Sequence, residues 1–207
     1  TAEGGAGAAD SLQVIYTGSA VETKAMRVLA WLESTQTTAG TWATAPSKIH
    51  QFMPGDPLPG DVVQSKIDIS ASVQTGTTLI PFDDTIPQNT EGNQYFTVTV
   101  VPTSEANVLK IEADVFLFLN IAGAGVLALF QDSTAGAFAA CMVGQSTGSG
   151  PWRQVMTHWL QCPASSTDIK LRGGGNNIGT TTTINGTNGA RCYGGVQYSW
   201  LSATELM

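Results

Sequence analysis

Charged side chains are scarce in this 207-residue chain, at 12% against a usual share of roughly 25%. Basic ones are scarcer still: 9 Lys and Arg stand against 16 Asp and Glu, a net charge of −7. A nucleic-acid binder needs a basic footprint to displace counterions from phosphate, and this chain has none. A polybasic membrane-surface anchor is excluded on the same ground. Histidine occurs twice, at His50 and His158, in neither an HxH nor an HExxH arrangement. Cys141, Cys162 and Cys192 are odd in number and form no CxxC, which argues against a zinc site or a disulfide framework. Three small buried thiols are expected, with a Cys162–Cys192 bridge as the alternative. The first nine residues carry neither a basic stretch nor an apolar one, so no signal peptide is expected there. The longest apolar run, VFLFLNIAGAGVLALF at 115–130, is shorter than the ~20 residues of a membrane-spanning helix. Asn120 and a Gly-Ala-Gly turn interrupt it, which predicts two buried strands joined by a hairpin and no membrane insertion.

What is present is apolar and turn-rich. Hydrophobic residues reach 42%, enough for a packed core, and there are 23 glycines, above the usual ~7%. Ser19 and Glu22 form a capping box, and Val21, Ala25, Val28, Leu29 and Leu32 fall on one stripe, predicting a helix over 19–34. A lone helix of this length is marginal, so it must pack on the main domain or on copies of itself. The Thr-, Ala- and Pro-rich residues 35–60 read as a semi-extended connector. From Asp61 onward, apolar or alternating runs recur between Gly, Asn, Ser and Pro clusters. Strands are expected near 61–74, 77–82, 93–101, 107–119, 125–131, 137–143, 152–162, 167–173, 180–185 and 191–201. That spacing indicates an all-β fold, an antiparallel β-sandwich of jelly-roll type. The organisation is a strand–helix–linker arm over 1–60 and a jelly-roll head over 61–207, with no internal repeat.

The run 108–119 is the most informative. Leu109, Ile111, Ala113, Val115, Leu117 and Leu119 take the inward positions of a period-2 strand, and Lys110, Glu112 and Asp114 the outward ones. Phe116 and Phe118 then occupy outward positions where charges would be expected. A strand apolar on both faces is buried on both faces. A neighbouring subunit is the expected cover, and a loop or the N-terminal segment the alternative.

Three blocks carry a family likeness: PGDVVQ at 59–64, IPFDDTIPQNTEG at 80–92, and GARCYGG at 189–195 running to a last strand that ends LSATEL at 201–206. Together they resemble the C-terminal domains of bacteriophage tail fibres and virion spikes, over roughly residues 58–207. Cys192 departs from the pattern, where a larger apolar residue is usual, and so does the Trp-rich segment 152–159. The resemblance implies a compact head like the trimeric tumour-necrosis-factor and C1q jelly rolls, at the distal end of a virion appendage. The central block also makes physical sense unaided. Pro81 and Pro87 bar it from a central sheet position, and Asp83 and Asp84 suit Asx turns. A rigid crossover on the domain rim is expected. Asp83, Asp84 and Glu91 are oxygen ligands of the kind Ca²⁺ takes, but no DxDxDG loop is present and no metal site is expected.

Catalytic patterns are missing. Asp83 and Asp84 are neighbours that point apart in extended chain, a poor pair for glycoside hydrolysis. Asp68, Glu112, Asp114 and Asp168 read as single solvated charges. There is no GxSxG elbow, and Gly173-Gly-Gly175 lacks the GK[ST] of a phosphate loop. No catalytic residue and no cofactor are expected. Binding has more support: Trp152 beside Arg153, after Gly148-Ser-Gly-Pro151, suits stacking on a sugar ring, with Trp152 as a core plug the alternative. Asn176 and Asn177 on a polar loop could add contacts, after serving their turn. The expectation is a non-enzymatic virion structural protein assembled in the host cytoplasm. It would be a homotrimeric fibre or spike head, docked on other virion proteins through 1–60 and contacting host-surface polysaccharide. Alternatives are a capsid or tail decoration protein without receptor binding and, third, a glycan depolymerase.

Overall fold

A computed structural model describes residues 59–207, with the backbone of four short strands ahead of them. The chain forms two compact units, Thr1–Asp56 and Pro57–Met207. In the first, β1 (Ala30–Glu33) pairs antiparallel with β4 (Lys48–Gln51). Inside that pair, β2 (Gln36–Thr38) meets β3 (Thr41–Trp42). The helix expected over 19–34 therefore does not extend through its last turn, since 30–33 is strand. Register sets Glu33 opposite Lys48 and Trp31 opposite His50, and an isolated helical stripe is a weak signal beside strand pairing. Residues 19–29 lie outside the described residues. The expected connector over 35–60 holds three of these strands.

The second unit has eight long strands: β5 (Val62–Ser70), β7 (Asn93–Val100), β8 (Val108–Leu119), β9 (Gly123–Gln131), β10 (Ala139–Ser146), β11 (Gly150–Gln161), β12 (Thr167–Gly175) and β16 (Ser199–Leu206). Four short ones accompany them: β6 (Gln74–Gly76), β13 (Thr182–Ile184), β14 (Gly186–Thr187) and β15 (Ala190–Arg191). The antiparallel pairings are nested in sequence: β9 with β10, β8 with β11, β7 with β12, β5 with β16. Lateral pairing of β16 with β8 and of β12 with β9 gathers them into two sheets, β5-β16-β8-β11 in front and β7-β12-β9-β10 behind. This is the jelly roll, one long hairpin wound into a sandwich. The short β13 takes over the edge of β8 beyond Phe116 and carries β6 outside it.

All six expected inward residues of β8 are fully buried, facing Val98, Leu127, Leu129, Ile169 and Leu171 among others. The run 115–130 does contain two buried strands, but not a hairpin. β8 and β9 lie in different sheets, because each already has both edges occupied; Asn120–Gly123 is an inter-sheet corner. Residues 77–82 are not a strand either. They begin a crossover that lies on the outer face of the back sheet, where Ile80 is buried with Val126, Ala128 and Phe130. That contact explains why β9 is apolar on both faces. A Cβ at Gly174 would stand 2.6 Å from the Thr78 carbonyl oxygen and 3.0 Å from the Ile80 nitrogen, so only glycine lets the crossover lie this close. Arg172 clamps its far end, donating to the carbonyls of Glu91 and Gly92, both at 2.7 Å. The final strand starts at Ser199, later than the expected 191–201. The intervening turn holds Tyr193, Gly194 and Gly195 at positive φ, which no strand accommodates.

Candidate functional site

Trp152 and Arg153 are adjacent on β11 and so point to opposite faces. Trp152 turns inward, packs against the main core, and lies on Gly144 of β10, where a Cβ would collide with the indole nitrogen. It is partly buried against the core on the face opposite Arg153, so the two side chains do not form the joint platform expected of them. Arg153 is outward and committed: Nε and Nη2 donate to the two oxygens of Asp114 at 2.8 and 2.7 Å. Its guanidinium also stands 5.8 Å from the centre of the Tyr198 ring.

Asn176 and Asn177 each make one hydrogen bond to the backbone. Asn176 Oδ1 accepts from the Ala124 backbone at 2.7 Å, and Asn177 Nδ2 donates to the Ala122 carbonyl at 2.9 Å. With Asn120, which accepts from the Thr181 backbone at 2.6 Å, they stitch the loop after β12 to the corner between β8 and β9. Phe118 is only 6% exposed in the single chain, so it needs no subunit to cover it. Its register neighbours Pro151 and Thr183 flank it. Phe116, opposite Arg153, is half-buried and stays on the outer face.

The acidic block of the crossover does not converge. Asp83 accepts from the Thr85 hydroxyl and, at 2.8 Å, from the Thr85 backbone, which lowers its pKa. Glu91 caps the Gln88 backbone at 2.8 Å. Asp83 and Asp84 line a shallow cleft of about 430 Å³ with Ile86, Pro87 and the start of β10, and Glu91 is not part of it. Among the described residues no three His, Cys, Asp or Glu side chains come together as a metal set. All three cysteines are free, so Cys162 and Cys192 do not pair. Burial raises the Cys162 pKa and pushes that of Cys141 up to about 11. His158 lies in β11 with its ring 5.2 Å from that of Phe138, a packing contact.

Two features escaped sequence reasoning. Glu205 on β16 is fully buried, yet its carboxylate is ionised. Burial alone would raise its pKa, but donors from Gln64, Asn107 and Thr103 hold it down to about 2. Those bonds measure 2.6 to 2.9 Å. No local motif announces this site, because its donors lie some 100 and 140 positions away. The second is Tyr193, 79% exposed at φ 48°. Here a signal existed: two glycines directly after a tyrosine bar it from a strand and turn it out.

Among the described residues, the outer face of the front sheet carries several exposed apolar side chains. Period-2 alternation and the register place Ile67 and Ile69 (β5), Trp200 (β16), Lys110, Glu112, Asp114 and Phe116 (β8), and Arg153, Val155 and Trp159 (β11) on it. Ile67, Ile69, Val155 and Trp159 are each more than half exposed. Lys110 pairs with Glu112 at 2.9 Å and Arg153 with Asp114 at 2.7 Å.

No family model matches the chain, and no curated protein matches it. Among solved structures it is similar to the CBM36-1 domain of a multidomain xylanase from the hindgut metagenome of Trinervitermes trinervoides, at 11% identity and a TM-score of 0.33, over 68% of this chain and 96% of that one. Dimeric latent PorU from Porphyromonas gingivalis gives 7% identity and a TM-score of 0.33, over 84% of this chain but 14% of that one. The infectious bursal disease virus Gx strain structure gives 10% identity and a TM-score of 0.26, over 84% of this chain and 43% of that one.

Proposed function

We propose that this chain is a virion structural protein whose jelly-roll head, presented in three copies on a fibre or spike, contacts a glycan on the host surface. The head acts by binding and performs no chemistry on the glycan. The observation that carries this reading is the contrast between the two sheet faces. Among the described residues the crossover centred on Ile80 covers the back sheet, while the front sheet keeps apolar side chains and two ion pairs at its surface, as befits a part of a larger assembly. The sequence blocks resembling tail-fibre and spike heads agree with it, and residues 1–60 would serve attachment to the particle.

With Trp152 in the core, the exposed ring best suited to stack on a sugar is Tyr193. Its turn is tied by hydrogen bonds from Gly195 to the Cys192 carbonyl and from Val196 to the Tyr193 carbonyl, so the ring is presented on a fixed backbone. Single stacking contacts are weak, and several copies on one axis convert them to avidity. The test uses the full chain on an array of bacterial surface polysaccharides. Binding should be nearly independent of salt, release no reducing ends, and fall at least tenfold in Tyr193→Ala. Steady sugar release would identify a depolymerase. No binding by the full chain, with the chain found coating particles, would identify a decoration protein, a reading the open front face also favours.

A further inference from the structure

We infer that Arg191 joins Tyr193 in one subsite for an uncharged pyranose. The apolar CH face of the sugar lies on the Tyr193 ring, and two adjacent hydroxyls accept from the Arg191 guanidinium. This rests on the reading of the head as a glycan binder and adds the second residue of the site and the class of sugar it takes.

Three observations lead there. The first is position. Gly60 donates to the Met207 carbonyl at 2.6 Å, and Met207 to the Asp61 carbonyl at 3.2 Å, so the chain enters the head beside its last residue. From there β5 and β16 run together, Val62 against Leu206 at one end and Ser70 against Ser199 at the other. β5 has nine residues, roughly 30 Å at about 3.3 Å each. Both ends of the segment 185–199 are fixed at the far end, since Asn185 donates to the Ser70 and Ser72 carbonyls and Ser199 pairs with Ser70. Arg191 and Tyr193 therefore stand opposite the point of chain entry.

The second is charge. Segments 71–79, 120–123, 147–150 and 176–198 build that far end, and Arg191 is their one charged residue, whereas Asp61 and Glu105 stand at the entry end. Among the described residues no carboxylate pairs with Arg191, which leaves its planar set of N–H donors for a ligand. The third is geometry. A Cβ at Gly195 would stand 2.8 Å from Cδ of Arg191 and 3.2 Å from its Nη1, so the guanidinium lies on the same turn that presents Tyr193. The two Cα atoms, two positions apart, are separated by at most about 7 Å, a span that one sugar or two linked sugars bridge. A carboxylate on the sugar would gain little, because an exposed ion pair contributes only about 0–1 kcal/mol. What selects the ligand is the planar fork of the guanidinium, which reaches two neighbouring oxygens at once, beside an aromatic face, on an end otherwise made of hydroxyls and amides.

The experiment is an NMR titration of the full chain with carbon-13 in its tyrosine rings, the Tyr193 signal being assigned by its loss in Tyr193→Phe. The probes are the methyl glycosides of glucose, galactose and mannose, the same glycosides opened at their adjacent hydroxyls by periodate, and methyl glucuronide and galacturonide. At least one neutral glycoside should move the Tyr193 signal at millimolar concentration, with the same midpoint at low and high salt, and its periodate-opened form should not. Arg191→Ala and Arg191→Lys should each raise the midpoint at least fivefold, lysine because it keeps the charge and loses the fork. Arg191 is exposed, so both variants should fold, as circular dichroism would show. A Tyr193 signal unmoved by every neutral glycoside would overturn the inference. So would a preference for the uronides that salt abolishes, or an Arg191→Lys variant that binds like wild type. Polysaccharide binding is scored separately: a chain that binds polysaccharide equally well as Arg191→Ala keeps the proposed function and loses this subsite. A chain that takes the neutral glycosides at Tyr193 and no polysaccharide keeps the subsite and refutes the proposed function.

Discussion

Replacing Glu205 by Gln tests whether a buried carboxylate holds the lower end of the sandwich together. Its Oε1 accepts from the Thr103 backbone at 2.9 Å, the Thr103 hydroxyl at 2.7 Å and Asn107 Nδ2 at 2.7 Å, and its Oε2 from Gln64 Nε2 at 2.6 Å. One carboxylate thus ties β16 to β5 and to the loop between β7 and β8. In Glu205→Gln the oxygen can keep the first three donors, but the new amide nitrogen faces the amide of Gln64. Gln64 cannot flip to accept without abandoning its 2.7 Å bond to the Val101 carbonyl. Moving the pKa from 4.5 to about 2 corresponds to about 3 kcal/mol. Gln64 is partly exposed, so solvent screening reduces this to about 1–2 kcal/mol. The donor conflict brings the expected loss to about 1–3 kcal/mol at pH 7.

The sign of the pH dependence follows from the lowered folded-state pKa. The contribution is fully present above the unfolded value of 4.5 and is lost as pH falls towards about 2. Urea midpoints of wild type and Glu205→Gln, followed by tryptophan fluorescence between pH 7 and pH 2.5, read this directly. Other carboxylates titrate in both proteins and cancel in the difference. The gap should be constant down to about pH 5 and close below it. A gap that ignores pH, or equal stability at pH 7, would refute the claim that an ionised Glu205 holds these strands.

Two further substitutions probe the parts that shape the head. Gly174→Ala drives a Cβ against the backbone of Thr78 and Ile80 and should cost about 1–3 kcal/mol by lifting the crossover. Gly148→Ala, with nothing within 4 Å, should leave the melting temperature nearly unchanged; equal effects would refute the close-approach argument. Asn185 is buried at φ 58°, donates to the carbonyls of Ser70 and Ser72, and accepts from the Ser199 hydroxyl at 2.7 Å. Asn185→Ala should lose about 2–4 kcal/mol. Asn185→Gly should lose less, since glycine keeps the left-handed backbone at no steric cost, and the order reversed in chemical denaturation would show that strain is not the issue.

The fold was legible where the signal is periodic. Alternation in 108–119 placed all six inward residues of β8 correctly, because period 2 is a local property that burial only has to use. The strand–turn rhythm likewise indicated a sandwich, though not the nesting of β5 with β16, which depends on contacts across almost the whole head. Apart from the Tyr193–Gly195 turn, whose local glycine signal was passed over, segments were misassigned where a local pattern met a non-local partner. Residues 77–82 look like a strand because two threonines lead into the apolar Leu79, Ile80 and Phe82; Ile80 is apolar because it covers Val126, Ala128 and Phe130 of β9. Phe118 looks like an interface residue until β13, more than 60 positions on, is seen to pair beside it.

The functional residues were harder to read because the features that mark a binding loop also build turns. Asn, Gly and an aromatic beside Arg suit sugar recognition, but they suit loop closure equally. The structure spends Asn176 and Asn177 on backbone groups of the corner between β8 and β9, and Trp152 on the core. One polar group of each asparagine is taken by the backbone of that corner, and the Trp152 ring is partly packed on Gly144. Among the groups the fold leaves exposed are the Tyr193 ring and the Ile67, Ile69, Val155 and Trp159 side chains of the front face. The ring stands singly and would suit a small hydroxylated ligand. The four side chains are spread over one sheet and suit a protein surface. The two surfaces differ in chemistry, so substitutions at Tyr193 and on the front sheet are separable perturbations.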